Sequence, residues 1–251
     1  MEGARRAKMI SMTPATCTIF FHNYYGEHTY WMQFFAQRIP VPFNLYYNVV
    51  EDSLFNLDSG LPGMVAGSNM QQLIIRRSPN RGKDIGGKMV LLDAYLRAGE
   101  RTPFFVFLHD KTSPHKVLGR EWSRQLLRIA EPTFAHEALE SFYADRRVGI
   151  VAAASSIAGG DPGSDPNREV LPALQAQYDL HPGQGAYVAG TMFWARAQPL
   201  EIFFNAHPPL DIRRTLEEGN VMDLKGGTRT HSWERLLSWV VSVQGYNFKS
   251  F

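Results

Sequence analysis

The chain has 251 residues, 44% hydrophobic and 20% charged, an ordinary globular composition with enough length for one sizeable core. A formal net charge of +2 gives no polyelectrolyte footprint, so no nucleic-acid partner is expected. The single cysteine, Cys17, excludes an internal disulfide and a cysteine zinc site, and its apolar setting reads as packing rather than reactivity.

Residues 1–15 read as a flexible tail, with Arg5, Arg6 and Lys8 as a small basic patch. Residues 16–22 read as a first strand, ending in His22-Asn23-Tyr24-Tyr25-Gly26. Trp31, Phe34 and Phe35 give 27–37 a helical spacing that Pro40 and Pro42 stop. The β-formers of 43–50 make a second strand. A Gly- and Pro-containing loop follows, and 73–76 make a short third strand. A glycine-rich turn over 80–88 leads into an amphipathic segment, 89–98.

Residues 104–109 are apolar and aromatic without alternation, which predicts a strand buried on both faces of a parallel sheet. The run stops at His109-Asp110-Lys111-Thr112-Ser113. Helices are expected over 119–129, with Trp122, Leu126 and Leu127 inward, and over 134–144. A strand follows at 148–154, then a loop at 158–168 and a short helix at 171–178. Residues 186–195 read as a strand containing a glycine, a pattern that often marks close approach of a ligand or backbone. An irregular polar stretch, 207–228, precedes a helix over 230–243 with Trp233, Leu236, Leu237 and Val240 as its apolar stripe. The alternation of strands and helices predicts an α/β fold, a Rossmann-like mixed sheet with helices on both faces. One domain is expected from residue 16, in two halves, 16–155 and 156–251.

No apolar segment approaches the roughly 20 residues needed to span a bilayer, and residues 1–15 lack the apolar centre of a signal peptide. The expected location is the cytoplasm, with peripheral contact at the inner membrane face left open.

In open α/β sheets, ligands bind beyond the carboxyl ends of the strands. His109, Asp110, Lys111 and Ser113 fall at such an end, and their groups suit a phosphate-bearing or metal-bearing ligand; a plain polar turn reads the same way. The spacing Gly82-x4-Gly87-Lys88 nearly matches a P-loop, but Met89 stands where a magnesium-binding Ser or Thr belongs. A glycine-rich turn opening a helix also offers backbone N–H groups to an anion, with Asn80, Arg81 and Asp84 beside it. Asp84 as a helix N-cap is the purely structural alternative.

Four blocks carry a resemblance: Asn80-Arg81-Gly82-Lys83-Asp84-Ile85-Gly86; Leu108-His109-Asp110-Lys111-Thr112-Ser113-Pro114-His115 with Trp122; Ala189-Gly190-Thr191-Met192-Phe193-Trp194-Ala195-Arg196; and Gly227-Thr228-Arg229-Thr230-His231-Ser232-Trp233-Glu234-Arg235. In this order they resemble the rhamnan synthesis protein F family of polysaccharide glycosyltransferases. The resemblance implies a GT-A-like fold and transfer of a sugar, rhamnose or another hexose, with inversion. The implied donor is a nucleoside-diphosphate sugar and the implied acceptor a glycan or lipid-linked glycan, with other glycosyltransferases as possible partners. It places Asn80, Arg81, Asp84, His109, Asp110, Lys111 and Ser113 at the donor, and Thr191, Trp194, Arg196 and Trp233 at the acceptor. Glu234 is the expected base, with His231 as helper or alternative base; an ion pair of Glu234 with Arg235 or Arg81 is the structural alternative.

GT-A enzymes commonly hold a divalent metal with Asp-x-Asp after the fourth strand, whereas this chain has His109-Asp110-Lys111 there. Two expectations follow: Asp110 and His109 bind manganese or magnesium, or Lys111 neutralises the diphosphate without metal. A P-loop-like nucleotide hydrolase or kinase and a non-catalytic nucleotide-sugar- or glycan-binding subunit remain as other classes. In the first of these Lys88 cradles phosphate; otherwise it reads as a helix-surface lysine.

Overall fold

The computed structural model describes residues 15–25, 36–51, 68–110, 124–159, 167–182, 185–222 and 227–251. Seven strands form one sheet in the order β3-β2-β1-β4-β8-β5-β9. They are β1 (Cys17–Asn23), β2 (Phe43–Val50), β3 (Met70–Ser78), β4 (Phe104–His109), β5 (Val148–Ala152), β8 (Phe193–Arg196) and β9 (Asn247–Ser250). Every neighbouring pair is parallel except those of β8, which runs antiparallel between β4 and β5. A two-stranded antiparallel sheet pairs β6 (Ile157–Ala158) with β7 (Tyr187–Val188). The α/β class expected from the sequence is the one observed.

Strands buried on both faces explain the unbroken apolar runs. Alternate residues feed two separate cores. Phe20, Tyr46, Phe105 and Phe107 pack on one face, with Met89 and Leu92 of α1 (Lys83–Ala98) and Leu236, Leu237 and Val240 of α6 (Arg229–Ser242). Ile19, Phe21, Leu45, Val106 and Leu108 pack on the other, with Phe134, Ala138 and Phe142 of α2 (Pro132–Ala144). The helix α3 (Leu171–Tyr178) closes on the first core through Leu171, Leu174 and Tyr178.

Several elements differ from the sequence reading. Helix α1 starts at Lys83, not 89, because the glycines of the expected turn are themselves helical; Gly82 sits before it at φ 73°. The third strand is longer than 73–76 and takes in the polar residues on either side, held by pairing to β2. The expected strand 186–195 is two strands of two different sheets. Gly190 (φ 77°) and Thr191 (φ 51°) make the corner between β7 and β8, so the glycine marks a turn.

The stretch after β8 holds two helices, α4 (Ala197–Ala206) and α5 (Pro209–Arg214), where an irregular polar segment was expected from 207. Leu200, Phe203 and Phe204 carry the inward face of α4, and Pro209 opens α5 at a position where a missing N–H costs nothing. Strand β9 has no apolar run at all; its pairing with β5 creates it. The helix expected at 27–37 and the start of that at 119–129 lie outside the described residues, except for their last residues. No helix among the described residues is long and apolar enough to cross a membrane.

Candidate functional site

The carboxyl ends of β1 and β4, the start of α1, the corner before β8 and the start of α6 meet at one edge of the sheet. Because β8 is antiparallel, its beginning lies at the edge where the parallel strands end. This is where three of the four sequence blocks contribute side chains to one hydrogen-bonded cluster.

Lys88 is at its centre. It lies in the second turn of α1, and its side chain is 0% exposed. A buried ammonium persists only when its donors are matched. Here its three N–H groups meet Asp84 Oδ2 at 2.8 Å, His109 Nδ1 at 3.1 Å and Thr191 Oγ1 in a short contact. Asp84 and Lys88 are one helical turn apart, the spacing at which side chains meet. Thr191 Oγ1 accepts from the ammonium and donates to Asp84 Oδ2 at 2.7 Å. His109 Nδ1 lies 3.6 Å from the same carboxylate oxygen. Thr191 is held at a positive φ, uncommon for a β-branched residue and costly by about 1–3 kcal/mol. That corner delivers its hydroxyl between the carboxylate and the ammonium.

Asp110, the residue after β4, turns the other way. Its Oδ1 accepts the backbone N–H of Tyr24 at 2.8 Å and its Oδ2 that of Tyr25 at 2.5 Å. Its own N–H donates to the His22 carbonyl at 3.0 Å. Asp110 therefore ties down the segment after β1. The pair does not fit a divalent cation as it stands: His109 Nδ1 faces an ammonium, and each Asp110 oxygen already takes a backbone N–H. The metal role expected of Asp110 and His109 finds no support in these contacts. Lys111, Ser113 and Trp122 lie outside the described residues.

Helix α6 brings the other two expected catalytic residues. Thr228 caps it, accepting the His231 N–H at 3.1 Å and meeting His231 Nδ1 at 2.8 Å. His231 Nε2 lies 3.5 Å from Lys83 Nζ at the start of α1. Glu234, half-buried, accepts the Gly190 N–H on Oε1 at 2.6 Å. So the base candidate is joined to the corner that holds Thr191. The Glu217 carboxylate satisfies the first backbone N–H groups of α6, at 2.7 Å from Arg229 N and 3.0 Å from Thr230 N. Burial alone would raise its pKa, yet these bonds and the Thr230 hydroxyl hold it below the usual carboxylate range.

Arg81 and Asn80 flank the cluster without joining it. Arg81 donates to the carbonyls of Leu216 at 2.9 Å and Arg214 at 3.2 Å and pairs with Glu218. The ion pair considered between Arg81 and Glu234 is thus replaced by one with Glu218. Arg235 donates to the His231 carbonyl at 2.8 Å and lies over the Tyr187 ring at 4.8 Å. Asn80 donates to Asn220 Oδ1 at 3.1 Å, and its own Oδ1 is buried with no partner among the described residues. Asp84 is not the N-cap of α1; Gly82 holds that position, and the Asp84 carboxylate serves Lys88 and Thr191.

The acceptor residues fare unequally. Thr191 is in the cluster. Trp194 is fully buried, with its Nε1 donating to the Ile129 carbonyl at 2.7 Å, and Trp233 packs among Tyr178, Phe203 and Phe204. Neither has a ring face left for a sugar. Arg196 pairs with Phe104, the first residue of β4, and so sits at the opposite edge of the sheet from His109. Its guanidinium donates to the carbonyls of Val148, Phe142 and Asp145 at 2.8, 2.6 and 3.2 Å. These contacts give the three side chains structural work, and the acceptor role expected of them finds no support there.

The P-loop spacing is met by a helix rather than a loop. A Cβ on Gly86 would stand 1.7 Å from the Arg81 carbonyl oxygen, and one on Gly87 1.9 Å from His22 Nδ1. The glycines serve close packing, and Lys88 is neither a phosphate cradle nor a surface lysine. Two residues outside the expected site therefore lie in it or beside it: Lys88, at the centre of the cluster, and His22, packed against Gly87. The i,i+4 spacing from Asp84 was the available signal for Lys88, and position at a strand end that for His22.

No protein-family model matches the chain. Over 170 residues it is 26% identical to a protein of Xanthomonas campestris pv. campestris (strain B100) that carries the name "Uncharacterized protein WxcX". The match covers 66% of this chain and 24% of the length of that protein, so the chain corresponds to a minor part of its relative.

Proposed function

We propose that the chain is a glycosyltransferase that moves a sugar, rhamnose or another hexose, from a nucleoside diphosphate to a glycan acceptor at the carboxyl-end edge of the sheet. The observation that carries this reading is the convergence at that edge. Asp84, His109 and Thr191 come from three of the resembling blocks and share one hydrogen-bonded cluster around Lys88. The fourth block joins it through Glu234 and Gly190, and through His231 and Lys83. A structural role alone does not require four distant segments to bring their polar residues to the edge where α/β sheets take ligands.

In this reading Glu234 takes the proton of the acceptor hydroxyl as its oxygen attacks the anomeric carbon. The bond from that carbon to the diphosphate breaks, and the nucleoside diphosphate leaves with the bonding pair. The Gly190 N–H, donating to Oε1, fixes the carboxylate for that work. Partner transferases and a lipid-linked acceptor are further parts of the same proposal that the cluster itself does not require.

Glu234→Gln tests the reading. The amide carbonyl still accepts the Gly190 N–H, so the fold is kept while the base is lost. Transfer is expected to fall by about 10²–10⁴-fold, the usual contribution of a general base. Donor binding, read as the rise in Tm on adding nucleoside diphosphates and nucleotide-sugars, is expected to stay as in the unaltered protein. Turnover at the original rate removes Glu234 as base. Failure of the whole nucleotide panel to raise Tm removes the transferase.

A further inference from the structure

We propose that Lys88 is the resident cation of this site: its ammonium fills the position among Asp84, His109 and Thr191 that a divalent metal would otherwise take, so the site works without metal. The proposal deepens the transferase reading and rests on it for what the site binds.

The three partners are a carboxylate oxygen, an imidazole nitrogen and a hydroxyl oxygen, a set that suits a first-row divalent cation. They come from α1, the end of β4 and the corner before β8, and all three converge on one point. The point is taken by Nζ of a side chain with no exposed surface. Each partner is oriented to a cation: Asp84 Oδ2 and His109 Nδ1 accept from it, and the Thr191 hydroxyl accepts from it while donating to Asp84. A second cation at this distance would face a desolvated ammonium, and like charges repel most where solvent is excluded. The neighbouring Asp110 carboxylate is engaged elsewhere, with one oxygen on the Tyr24 N–H and the other on the Tyr25 N–H.

A tethered ammonium carries half the charge of a metal and never dissociates. What it supplies is geometry: it holds Asp84 against Thr191, and through Thr191 it holds the corner whose Gly190 N–H grips Glu234. Lys88 is accordingly a positioning residue. Chelators would then leave the site intact, and loss of the ammonium would open a metal-sized vacancy.

The experiment uses manganese alone as probe, with the whole chain. Binding is read from the loss of free Mn²⁺ signal by electron paramagnetic resonance and from Tm. The unaltered protein is expected to leave the free signal and its Tm unchanged. Lys88→Ala is expected to take up about one Mn²⁺ per chain, with a rise in Tm that EDTA reverses. Lys88→Met, which refills the volume without charge, is expected to take up none. Uptake of Mn²⁺ by the unaltered protein that Asp84→Asn abolishes would overturn the proposal, and that arm stands even where Lys88→Ala does not fold. Lack of uptake by a folded Lys88→Ala would overturn it as well.

A parallel titration keeps this apart from the transferase reading. A nucleotide-induced Tm rise of equal size with EDTA and with Mn²⁺ supports the resident cation, and one seen only with Mn²⁺ overturns it. No rise with any nucleotide removes the transferase, and the manganese measurement, which uses no nucleotide, still decides the role of Lys88.

Discussion

His22 shows how one side chain at the end of β1 ties the site to pH. It is buried, and its Nδ1 meets Asn48 Nδ2 at 3.0 Å; Asn48 Oδ1 in turn accepts from Ser78 Oγ at 3.2 Å. Burial, reinforced by the charges of Lys88 and Arg213 and opposed by Asp84, brings its pKa down to about 4. The unfolded chain protonates near 6.5, so between that pH and about 4 the unfolded state binds a proton that the folded state refuses. Stability is complete above 6.5 and falls as pH drops through this window, by about 3 kcal/mol at its lower end. The lowered carboxyl of Glu217 adds a loss in the carboxylate range. Urea unfolding at a series of pH values is expected to show this decline, and His22→Gln to flatten it between 6.5 and 5. An equally steep decline in the variant would assign it elsewhere. Little of this was legible from sequence: His22 reads as a strand end, and the network that fixes it comes from β2, β3 and α1.

At the scale of elements, the first turns of α1 show a local rule inverted by packing. Alanine is normally worth about 1 kcal/mol over glycine inside a helix. At Gly86 a Cβ would stand 1.7 Å from the Arg81 carbonyl oxygen, a backbone atom. That carbonyl has little room to move, since Arg81 bridges to Glu218 and Gly82 N donates to the Glu217 carbonyl at 2.7 Å. Gly86→Ala is expected to destabilise despite its helix propensity, by about 1–3 kcal/mol, the usual cost of overpacking. The urea midpoint, with an unchanged slope, measures it; a higher midpoint would show that the segment 217–219 gives way.

The same contrast explains which elements the sequence disclosed. Strands β1, β2 and β4 carry apolar runs because both their faces are covered, and such runs are visible without a partner. Strand β9 is created by its neighbour, and α4 was hidden behind the strand it directly follows. Among site residues, Asp84, His109, Thr191, His231 and Glu234 were singled out and do meet at one edge. Trp194, Trp233 and Arg196 were drawn in by the same blocks, but a block contains the residues that carry a strand or helix as well as those that carry a site. Burial separates the two, and burial is not written in a motif.

For the molecule as a whole, the decisive feature is that one sheet takes strands from both ends of the chain. The halves 16–155 and 156–251 are contiguous in sequence but not in space. Strand β8 belongs to the second half and lies between β4 and β5 of the first, and β9 flanks β5 on its other side. The cluster is divided in the same way: Asp84, Lys88 and His109 come before residue 155, and Thr191, His231 and Glu234 after it. Removing the second half would leave β4 and β5 with unpaired edges and strip α6 from the core of α1, exposing Phe107, Met89 and Leu92. Edges of that kind recruit other chains. Expressed separately, each half is expected to be aggregated or unfolded by circular dichroism and to show no nucleotide-dependent rise in Tm. Co-expression is expected to restore both, because the cut at 155 falls in the short turn between β5 and β6, and Ser156 keeps its bond to Ala189 beside the corner from the second half's side of the cut. A folded, nucleotide-binding first half would instead mean that the donor site needs neither Thr191 nor α6.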